Sequence, residues 1–385
     1  MNDGWPIASP SCARPTSLLT YCSNIHPGES WQAVRSNVET HALEVKTRLS
    51  PDEPFPLGLR VSAQAAAELD RTGTAQFADW CEKTGLFVAT INGFPYGDFH
   101  GSPVKTGVYL PDWRSPERVE YTLALGKLLD GWTGGSQSAP APSISTVPVA
   151  YRDGFTDPDW ALVRNNLIDC LQGLDRLRQA SGRSLVLAFE GEPGCVVETM
   201  SDAATCLERL DLPSGLADLV GVCLDCCHQA VEFEDPATAL ATVRERGLRL
   251  AKVQVSSALS ATTEELEALR AFDEPVYLHQ AVARDSDGRL ERFADLPALF
   301  ARLDGGRPAP EECRVHFHVP VYAEHLGYCG TTQGFLETII PLLDPGVLLE
   351  VETYSWGVLP ADLRKGEVVD CIVRELEWVT RLLNA

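Results

Sequence analysis

The first residues with chemical potential are acidic side chains and a histidine at the ends of apolar segments. Glu190 ends the segment 184–190, and Asp225 ends the almost entirely apolar segment Val220–Asp225. His228 follows in the string Asp-Cys-Cys-His. Charged side chains are rarely buried without a partner. An aspartate and a histidine beside an otherwise apolar strand therefore indicate a functional role. Asp225 and His228 are therefore the stronger part of this pattern.

Two later segments carry polar residues at every second position. His316 and His318 alternate in the string Val-His-Phe-His-Val-Pro, and Glu350 and Glu352 alternate in Leu-Glu-Val-Glu-Thr. Side chains of a strand point alternately to its two faces, so each pair lies on one side. Both pairs could therefore face a common site.

Carboxylates and imidazoles contributed by several strands are typical of a divalent-cation site. Buried carboxylates without a cation would repel one another, whereas Mg²⁺, Mn²⁺ and Zn²⁺ accept oxygen or nitrogen ligands of these kinds. Taken singly, each residue has a simpler explanation, since glutamates at strand ends are also common ion-pair partners. The order of the whole set along the chain favours a metal site.

Further polar residues, most of them on the loops after the first and third predicted strands, are candidates for binding substrate hydroxyls or a phosphate. They are Asn24, His26, Asn92, His100, Lys105 and His316. For His26 and Lys105, an ordinary solvated position on a loop is an equally good explanation.

The elements that must position these residues alternate between short apolar segments and longer helical ones. This alternation predicts repeated βαβ units around a parallel sheet. Seven strands are expected at 18–24, 55–62, Leu86–Asn92, 143–150, 184–190, Val220–Asp225 and 250–256. We predict a (β/α)₈ TIM barrel, a fold in which reactive groups lie at the C-terminal ends of the strands.

Three more strand candidates follow the seventh, at 276–281, 314–319 and 347–353. Because eight strands close such a barrel, one or two of the ten candidates must lie outside it. The turn Asp-Ser-Asp-Gly predicts a hairpin across 277–293, which is the preferred excursion from the barrel. We expect a single TIM-barrel domain over residues 1–385, with an insertion at about 277–313.

Composition restricts the classes of partner and the compartment. The chain has 385 residues and a formal net charge of −22, which opposes general binding to nucleic acid or to anionic membranes. No apolar run approaches the roughly 20 residues of a membrane span, and no secretory signal is visible. Of the 12 cysteines, the tight cluster Cys223, Cys226 and Cys227 suits neither a zinc ribbon nor a disulfide framework. We expect reduced thiols and a cytoplasmic protein.

The residues in strand order resemble those of sugar isomerases and epimerases in the xylose-isomerase-like barrel superfamily. More narrowly, five strings resemble the EboE-type "metabolite traffic" proteins; they occupy 20–31, 91–100, 225–235, 316–320 and 350–356. The resemblance implies a bacterial gene cluster that makes or moves a small metabolite. It also implies partner enzymes from that cluster, namely a prenyltransferase and a sugar-phosphate-cyclase-like enzyme.

The superfamily resemblance implies that three carboxylates bind a divalent metal, Mn²⁺, Zn²⁺ or Mg²⁺; they are Glu190, Asp225 and Glu352. It also implies that His228 contacts metal or substrate. Strand position makes Gln254 the fourth ligand, whereas the string His-Phe-His makes it His318. We favour His318 because imidazole is the better ligand for a transition metal, although a glutamine carbonyl suits a harder ion.

The function implied is metal-dependent isomerisation or epimerisation of a small polyol, sugar or cyclitol, phosphorylated or not. The metal would hold adjacent substrate oxygens while a carboxylate moves a proton, and the expected catalytic residues are Glu190, Glu352 and His228. Two alternatives stay open. One is a metal-dependent phosphoester hydrolase, and the other is a non-catalytic protein that binds a metabolite and transfers it.

Overall fold

A computed structural model describes residues 18–100, 103–133 and 140–385 of the chain. Its strands are β1 (Leu19–Tyr21), β2 (Phe55–Arg60), β3 (Leu86–Asn92), β4 (Ser143–Thr146), β5 (Val186–Glu190), β6 (Val220–Asp225), β7 (Leu250–Val255), β8 (Ser257–Thr262), β9 (Ala281–Arg284), β10 (Leu290–Phe293), β11 (Glu312–Val319), β12 (His325–Leu326), β13 (Cys329–Thr331) and β14 (Leu349–Val351). The predicted bounds of β3 and β6 match those of the structure.

The predicted TIM barrel is confirmed. Eight strands pair in parallel in the order β1-β14-β7-β6-β5-β4-β3-β2. A parallel bridge between Cys22 and Gly58 joins β1 to β2 and closes the ring. The C-terminal ends of all eight strands therefore meet at one face of the barrel, as this fold requires.

The helices cover the outside of the barrel and lie over its ends. They are α1 (Trp31–Asn37), α2 (Leu43–Leu49), α3 (Ala63–Ala67), α4 (Arg71–Thr84), α5 (Pro116–Trp132), α6 (Asp159–Ser181), α7 (Met200–Leu210), α8 (Ser214–Ala217), α9 (Cys226–Val231), α10 (Pro236–Glu245), α11 (Leu296–Asp304), α12 (Gln333–Ile339) and α13 (Val368–Leu383). Two helices, α3 and α4, follow β2, and Gly85 ends α4 in the left-handed conformation.

A second, antiparallel sheet has the order β10-β9-β11-β8-β13-β12. It contains the predicted hairpin, formed by β9 and β10, whose turn includes Gly288 at φ +79°. The sheet extends beyond the expected insertion at 277–313, because β8, β12 and β13 also belong to it. Only β14, within the candidate segment 347–353, enters the barrel as its eighth strand.

The strand predicted at 276–281 is wrong, since only its last residue, Ala281, begins a strand. The Glu274 carboxylate accepts hydrogen bonds from the backbone amides of Val276 and Tyr277, each at 2.8 Å. These amide groups are therefore unavailable for pairing with a neighbouring strand. A carboxylate that binds nearby backbone amides in this way competes with regular secondary structure.

The second sheet begins where a barrel strand ends. β8 starts two residues after β7, so the chain passes from the barrel into the antiparallel sheet at the C-terminal face. β11, which carries His316 and His318, pairs with β8 and β9. The histidine-rich strand therefore lies outside the barrel sheet, yet close to the mouth of the barrel.

The barrel interior contains a buried ion pair below this mouth. Lys252 Nζ lies 2.5 Å from Glu350 Oε2, and both residues are fully buried. Gly58 makes room for this pair, because a Cβ atom there would lie 2.0 Å from Glu350 Oε1. Lys252 and Glu350 precede Gln254 and Glu352 by two residues, so they form the layer beneath those side chains.

The described cysteine side chains are part of the protein interior. In the described part of the chain, the cysteines are buried free thiols, as expected. Burial raises the pKa of the clustered Cys223, Cys226 and Cys227 well above the usual value, so these thiols stay protonated. No described helix has both the length and the apolar character that a membrane crossing requires.

We expect Lys252→Met to destabilise the protein by about 3–5 kcal/mol, because it leaves the Glu350 carboxylate buried without a counter-charge. The double variant Lys252→Met/Glu350→Gln removes both charges and should recover part of this loss. Urea denaturation of the wild type and the two variants measures both effects. A double variant no more stable than Lys252→Met would show that the charge of Glu350 is not the cause.

Candidate functional site

A cavity opens at the C-terminal face of the barrel, where the predicted site residues converge. Its polar lining includes Asn24, Asn92, Glu190, Glu192, His228, His316 and Glu352. Its aromatic lining includes Phe94, Phe99, Tyr109, Tyr277 and Tyr354. The cavity lining thus combines acidic and imidazole groups with aromatic rings.

Three carboxylates, here called the carboxylate cluster (Glu190, Asp225 and Glu352), offer oxygen atoms that lie within 4.8 Å of one another. The residues are only 3%, 0% and 3% exposed. Glu190 Oε2 and Asp225 Oδ2 have no hydrogen-bond partner among the described residues. Buried like charges with unpartnered oxygens are strongly unfavourable unless a cation neutralises them, so the cluster fits a divalent ion.

Electrostatics separates the members of the carboxylate cluster. Burial raises the pKa of Glu190 to about 7, and burial together with the charges of Glu190 and Asp225 raises the pKa of Glu352 well above its usual value. Burial alone would also raise the pKa of Asp225, but His228, His318 and hydrogen bonds lower it further than burial raises it. Without a cation, Asp225 is therefore the member that stays ionised most readily.

Glu352 is oriented by two amide side chains. Asn24 Nδ2 donates to Glu352 Oε1 at 2.7 Å, and Asn92 Nδ2 donates to the same oxygen at 2.9 Å. Asn24 follows β1 and Asn92 ends β3, so two different strands of the barrel hold this carboxylate. Both asparagines line the cavity, where we predicted substrate binding, and each already donates one of its two amide hydrogens to Glu352.

Asp225 is held at the start of helix α9. Its Oδ1 accepts hydrogen bonds from the His228 backbone amide at 2.9 Å and from Ser256 Oγ at 2.8 Å. As the N-cap residue, Asp225 satisfies a backbone amide that the first helical turn leaves unpaired. This arrangement fixes the carboxylate and leaves Oδ2 free of hydrogen bonds within the described residues.

Three imidazoles, here called the histidine cluster (His228, His316 and His318), meet beside the carboxylate cluster. Their Nε2 atoms are separated by 3.1 Å (His228 to His316), 3.2 Å (His316 to His318) and 3.4 Å (His318 to His228). Burial lowers the pKa of His316 well below its usual value and that of His318 to about 4. His228 behaves differently: burial would lower its pKa, but Asp225 and Glu192 raise it by more.

The two candidates for a fourth metal ligand have different surroundings. Gln254 Oε1 accepts a hydrogen bond from the Cys223 thiol at 3.0 Å, and the side chain is fully buried within the barrel. His318 instead offers a ring nitrogen within 4.8 Å of ligand atoms from Asp225 and His228. Of the carboxylate cluster, only Asp225 shares this group with His318, so the identity of the fourth ligand stays a prediction.

The structure does not bring His26 or His100 to the lining of the cavity. His26 is buried, with its Nε2 3.2 Å from the Tyr21 hydroxyl and its ring stacked on His41. His100 packs edge-on against Phe99, with ring centroids 5.1 Å apart. Neither position supports direct contact with a substrate in the described cavity.

Lys105 does line the cavity, but its charge is already paired. Its Nζ lies 2.7 Å from Asp295 Oδ2 and also donates to the Tyr277 carbonyl oxygen at 2.7 Å. A lysine in an ion pair attracts a phosphate less strongly than a free lysine, because the neighbouring carboxylate cancels its field.

Glu192 and Tyr354 also belong to the site and escaped the sequence analysis. Glu192 Oε2 lies 3.6 Å from His228 Nε2, and the Tyr354 hydroxyl lies 3.3 Å from His316 Nε2. Each stands two residues beyond a predicted catalytic glutamate, Glu190 or Glu352. The alternation of side chains along a strand could therefore have pointed to both residues. It was a weak signal, because the two-residue period no longer holds once the strand has ended.

No protein-family model matches the sequence, and a search of curated proteins finds no significant relative. Similarity is found among solved structures. A xylose isomerase domain protein from Planctomyces limnophilus is 15% identical, with 96% of this chain and 97% of that chain covered and a TM-score of 0.51.

Two further structures share the same architecture. A D-psicose 3-epimerase from Clostridium cellulolyticum H10, solved with D-tagatose, is 12% identical, with 95% and 98% coverage and a TM-score of 0.50. A xylose isomerase-like TIM barrel protein from Mycobacterium smegmatis, in complex with magnesium, is 11% identical, with 96% and 97% coverage and a TM-score of 0.51. At these identities the likeness shows the fold, which is that of the xylose-isomerase-like TIM barrels.

We expect Asn92→Leu to weaken divalent-metal binding by about 10- to 100-fold, the usual effect of removing a group that orients a ligand. The affinity can be measured by competition with a chelator. Asn166→Leu is the matched control, because Asn166 donates to the Trp113 carbonyl oxygen, outside the cavity lining. Equal affinities for the two variants would contradict the role given to Asn92.

Another buried carboxylate, Glu375 of α13, braces the strand end that carries Glu352. Its Oε1 accepts hydrogen bonds from Thr353 Oγ1 at 2.6 Å and from the Val321 backbone amide at 3.1 Å. Burial raises the pKa of Glu375 to about 7. Between its usual pKa and 7, the folded protein keeps a proton that the unfolded chain has lost.

The stability of the wild type should therefore fall as the pH rises from about 4.5 to 7, by up to roughly 3 kcal/mol through Glu375 alone. Glu375→Gln carries no titrating proton and should lack this component. Urea denaturation at several pH values gives the difference between the two proteins. A difference that stays constant across this range would show that Glu375 does not titrate as described.

Proposed function

We propose that the protein is a metal-dependent isomerase or epimerase that acts on a small polyol, sugar or cyclitol. The observation that carries this proposal is the carboxylate cluster, buried at the C-terminal face of the barrel beside an aromatic-walled cavity. The site residues predicted from the sequence support it, since Glu190, Asp225 and Glu352 come from three different strand ends.

When bound, a divalent ion would hold two neighbouring substrate oxygens and stabilise the negative charge of an enediolate. Glu190 is well placed to move the proton, because its Oε2 has no partner among the described residues and its pKa of about 7 suits exchange near neutral pH. It would take the proton from the carbon next to the carbonyl. Return of a proton to the neighbouring carbon gives isomerisation.

Glu352 would support epimerisation, in which a proton returns to the opposite face of the same carbon. Its carboxylate is held by Asn24 and Asn92, and its raised pKa allows it to carry a proton. Phe99, Tyr277 and Tyr354 pack together at the cavity, with ring centroids 5.0–5.2 Å apart. Such an aromatic wall would limit access of water to the intermediate.

The described lining favours an uncharged substrate over a phosphorylated one. Lys105 is the cation of that lining, and Asp295 already neutralises it. Glu190, Glu192 and Glu352 contribute negative charge to the same cavity. A phosphate group would face this negative field without a free basic side chain from the described residues.

The resemblance to EboE-type proteins supports a finer placement, in a pathway that makes or exports a metabolite with partner enzymes from the same gene cluster. The buried free thiols fit a reducing compartment, so we propose the cytoplasm.

A second reaction, metal-dependent phosphoester hydrolysis, is favoured by one observation. Imidazole-rich sites such as the histidine cluster suit Zn²⁺ and the activation of water.

The test is exchange of substrate hydrogen with solvent deuterium, followed by NMR on ketoses and keto-cyclitols, which carry the carbonyl that this step requires, with Mg²⁺, Mn²⁺ or Zn²⁺ added. D-psicose and D-tagatose are reasonable first substrates, given the structural likeness to an epimerase. We expect exchange with the wild type and a loss of about 10²- to 10⁴-fold in Glu190→Gln. Glu324→Gln is the matched control, since Glu324 is exposed on the second sheet's edge loop.

Metal-loaded wild type that exchanges hydrogen with none of these compounds would contradict the proposal. Release of inorganic phosphate from phosphoesters under the same conditions would instead favour the hydrolase. Full activity of Glu190→Gln would remove Glu190 from the mechanism.

A further inference from the structure

The histidine cluster has a protonation pattern that its surroundings determine. His228 Nδ1 lies 2.8 Å from the Gly191 carbonyl oxygen, and His318 Nδ1 lies 3.0 Å from the Glu352 carbonyl oxygen. A backbone carbonyl can only accept a hydrogen bond, so both Nδ1 atoms must carry the proton. In the neutral form of each ring, Nε2 therefore presents a lone pair; on His228, Asp225 and Glu192 favour a positive charge beside that nitrogen.

His316 is fixed in the same form by a longer chain of contacts. Its Nδ1 lies 2.8 Å from Gln280 Oε1, while Gln280 Nε2 donates to the Pro193 carbonyl oxygen at 2.8 Å. Because Pro193 offers only an acceptor there, the orientation of the Gln280 amide is determined, and its oxygen faces His316. His316 must then donate through Nδ1, and its Nε2 also presents a lone pair.

With all three rings in the neutral form, three nitrogen lone pairs point into one small space, with separations of 3.1–3.4 Å. No hydrogen bond can form between two acceptors, and the Tyr354 hydroxyl, 3.3 Å from His316 Nε2, can donate to only one ring at a time. His228 and His318 are 2% and 0% exposed, which leaves little room for water to relieve the conflict. The arrangement calls for a cation at its centre.

The spacing matches that of three ligands around a zinc ion. Tetrahedral Zn²⁺ with Zn–N bonds of about 2.0–2.1 Å separates its nitrogen ligands by about 3.3 Å. Carboxylate oxygens stand nearby for a further position: Glu192 Oε2 is 3.6 Å and Asp225 Oδ1 is 3.7 Å from His228 Nε2. The hydrogen bonds from Nδ1 to carbonyl groups are the contacts that usually orient zinc-bound histidines.

We propose that His228, His316 and His318 form a metal-binding position of their own, suited to Zn²⁺ and adjacent to the carboxylate cluster. Asp225 neighbours both positions, since its oxygens lie within reach of Glu190 and Glu352 as well as of His228 and His318. The protein would then bind two metal ions, a nitrogen-rich one and an oxygen-rich one. This inference does not depend on the reaction proposed above.

The experiment loads metal-free protein with Zn²⁺ or Co²⁺, removes excess ion by dialysis and measures metal content by elemental mass spectrometry. We expect two Zn²⁺ per chain in the wild type, one in His316→Leu and one in Glu352→Gln. With Co²⁺, the intense visible absorption of a tetrahedral site should be lost in His316→Leu and kept in Glu352→Gln. His26→Leu, which alters a buried histidine outside the cavity lining, should bind like the wild type.

A second variant, with a smaller change at the site, keeps the proposal testable if His316→Leu fails to fold. Gln280→Leu keeps all three imidazoles and removes only the acceptor that orients His316, so we expect zinc affinity at this position to fall about 10- to 100-fold. The proposal is overturned if His316→Leu keeps the metal content and cobalt spectrum of the wild type. It is also overturned if His316→Leu and Glu352→Gln each lose all metal, or if the wild type binds no metal because a proton occupies the cluster. Two bound ions without any turnover would refute the reaction but not this site.

Discussion

The structure depends on one constraint, the burial of negative charge at the mouth of the barrel. Glu190, Asp225, Glu350 and Glu352 are all almost completely buried, and Lys252 is the basic side chain that lies among them. Burial of an unpaired charge costs several kcal/mol, so most proteins avoid such a group. A protein that keeps buried carboxylates must stabilise each of them by hydrogen bonds, a counter-charge or a bound cation. Most contacts around this site have that effect.

Both sheets contribute residues to the site around the buried carboxylates. Barrel strands supply the carboxylates and the amides that orient Glu352, while the antiparallel sheet carries His316 and His318 over the mouth. The continuation of β7 into β8 places the second sheet at the face where the carboxylates end. Ser355 strengthens the junction by donating to the His318 carbonyl oxygen. The antiparallel sheet thus supplies site residues that the barrel strands do not.

Local patterns were sufficient to predict the strands that carry Glu190, Asp225 and Glu352, because an apolar run that ends in a charge is visible in one short segment. They could not decide which late strand closes the barrel, since strand pairing is a long-range property that a short segment does not encode. The partnership of Asn24 with Glu352 joins residues 328 positions apart. The role of His316 beside His228 and His318 likewise needed the tertiary structure, because it depends on where each Nδ1 donates.

Metal binding by the carboxylate cluster is tested by a crystal structure of the protein loaded with Mn²⁺ or Zn²⁺, with anomalous differences measured at the absorption edge of the metal. We expect an anomalous peak within coordinating distance of Glu190, Asp225 and Glu352. A metal-loaded crystal with no peak at these carboxylates, and with their side chains arranged as described here, would contradict it. The buried acidic cluster would then be tolerated for a reason other than metal binding.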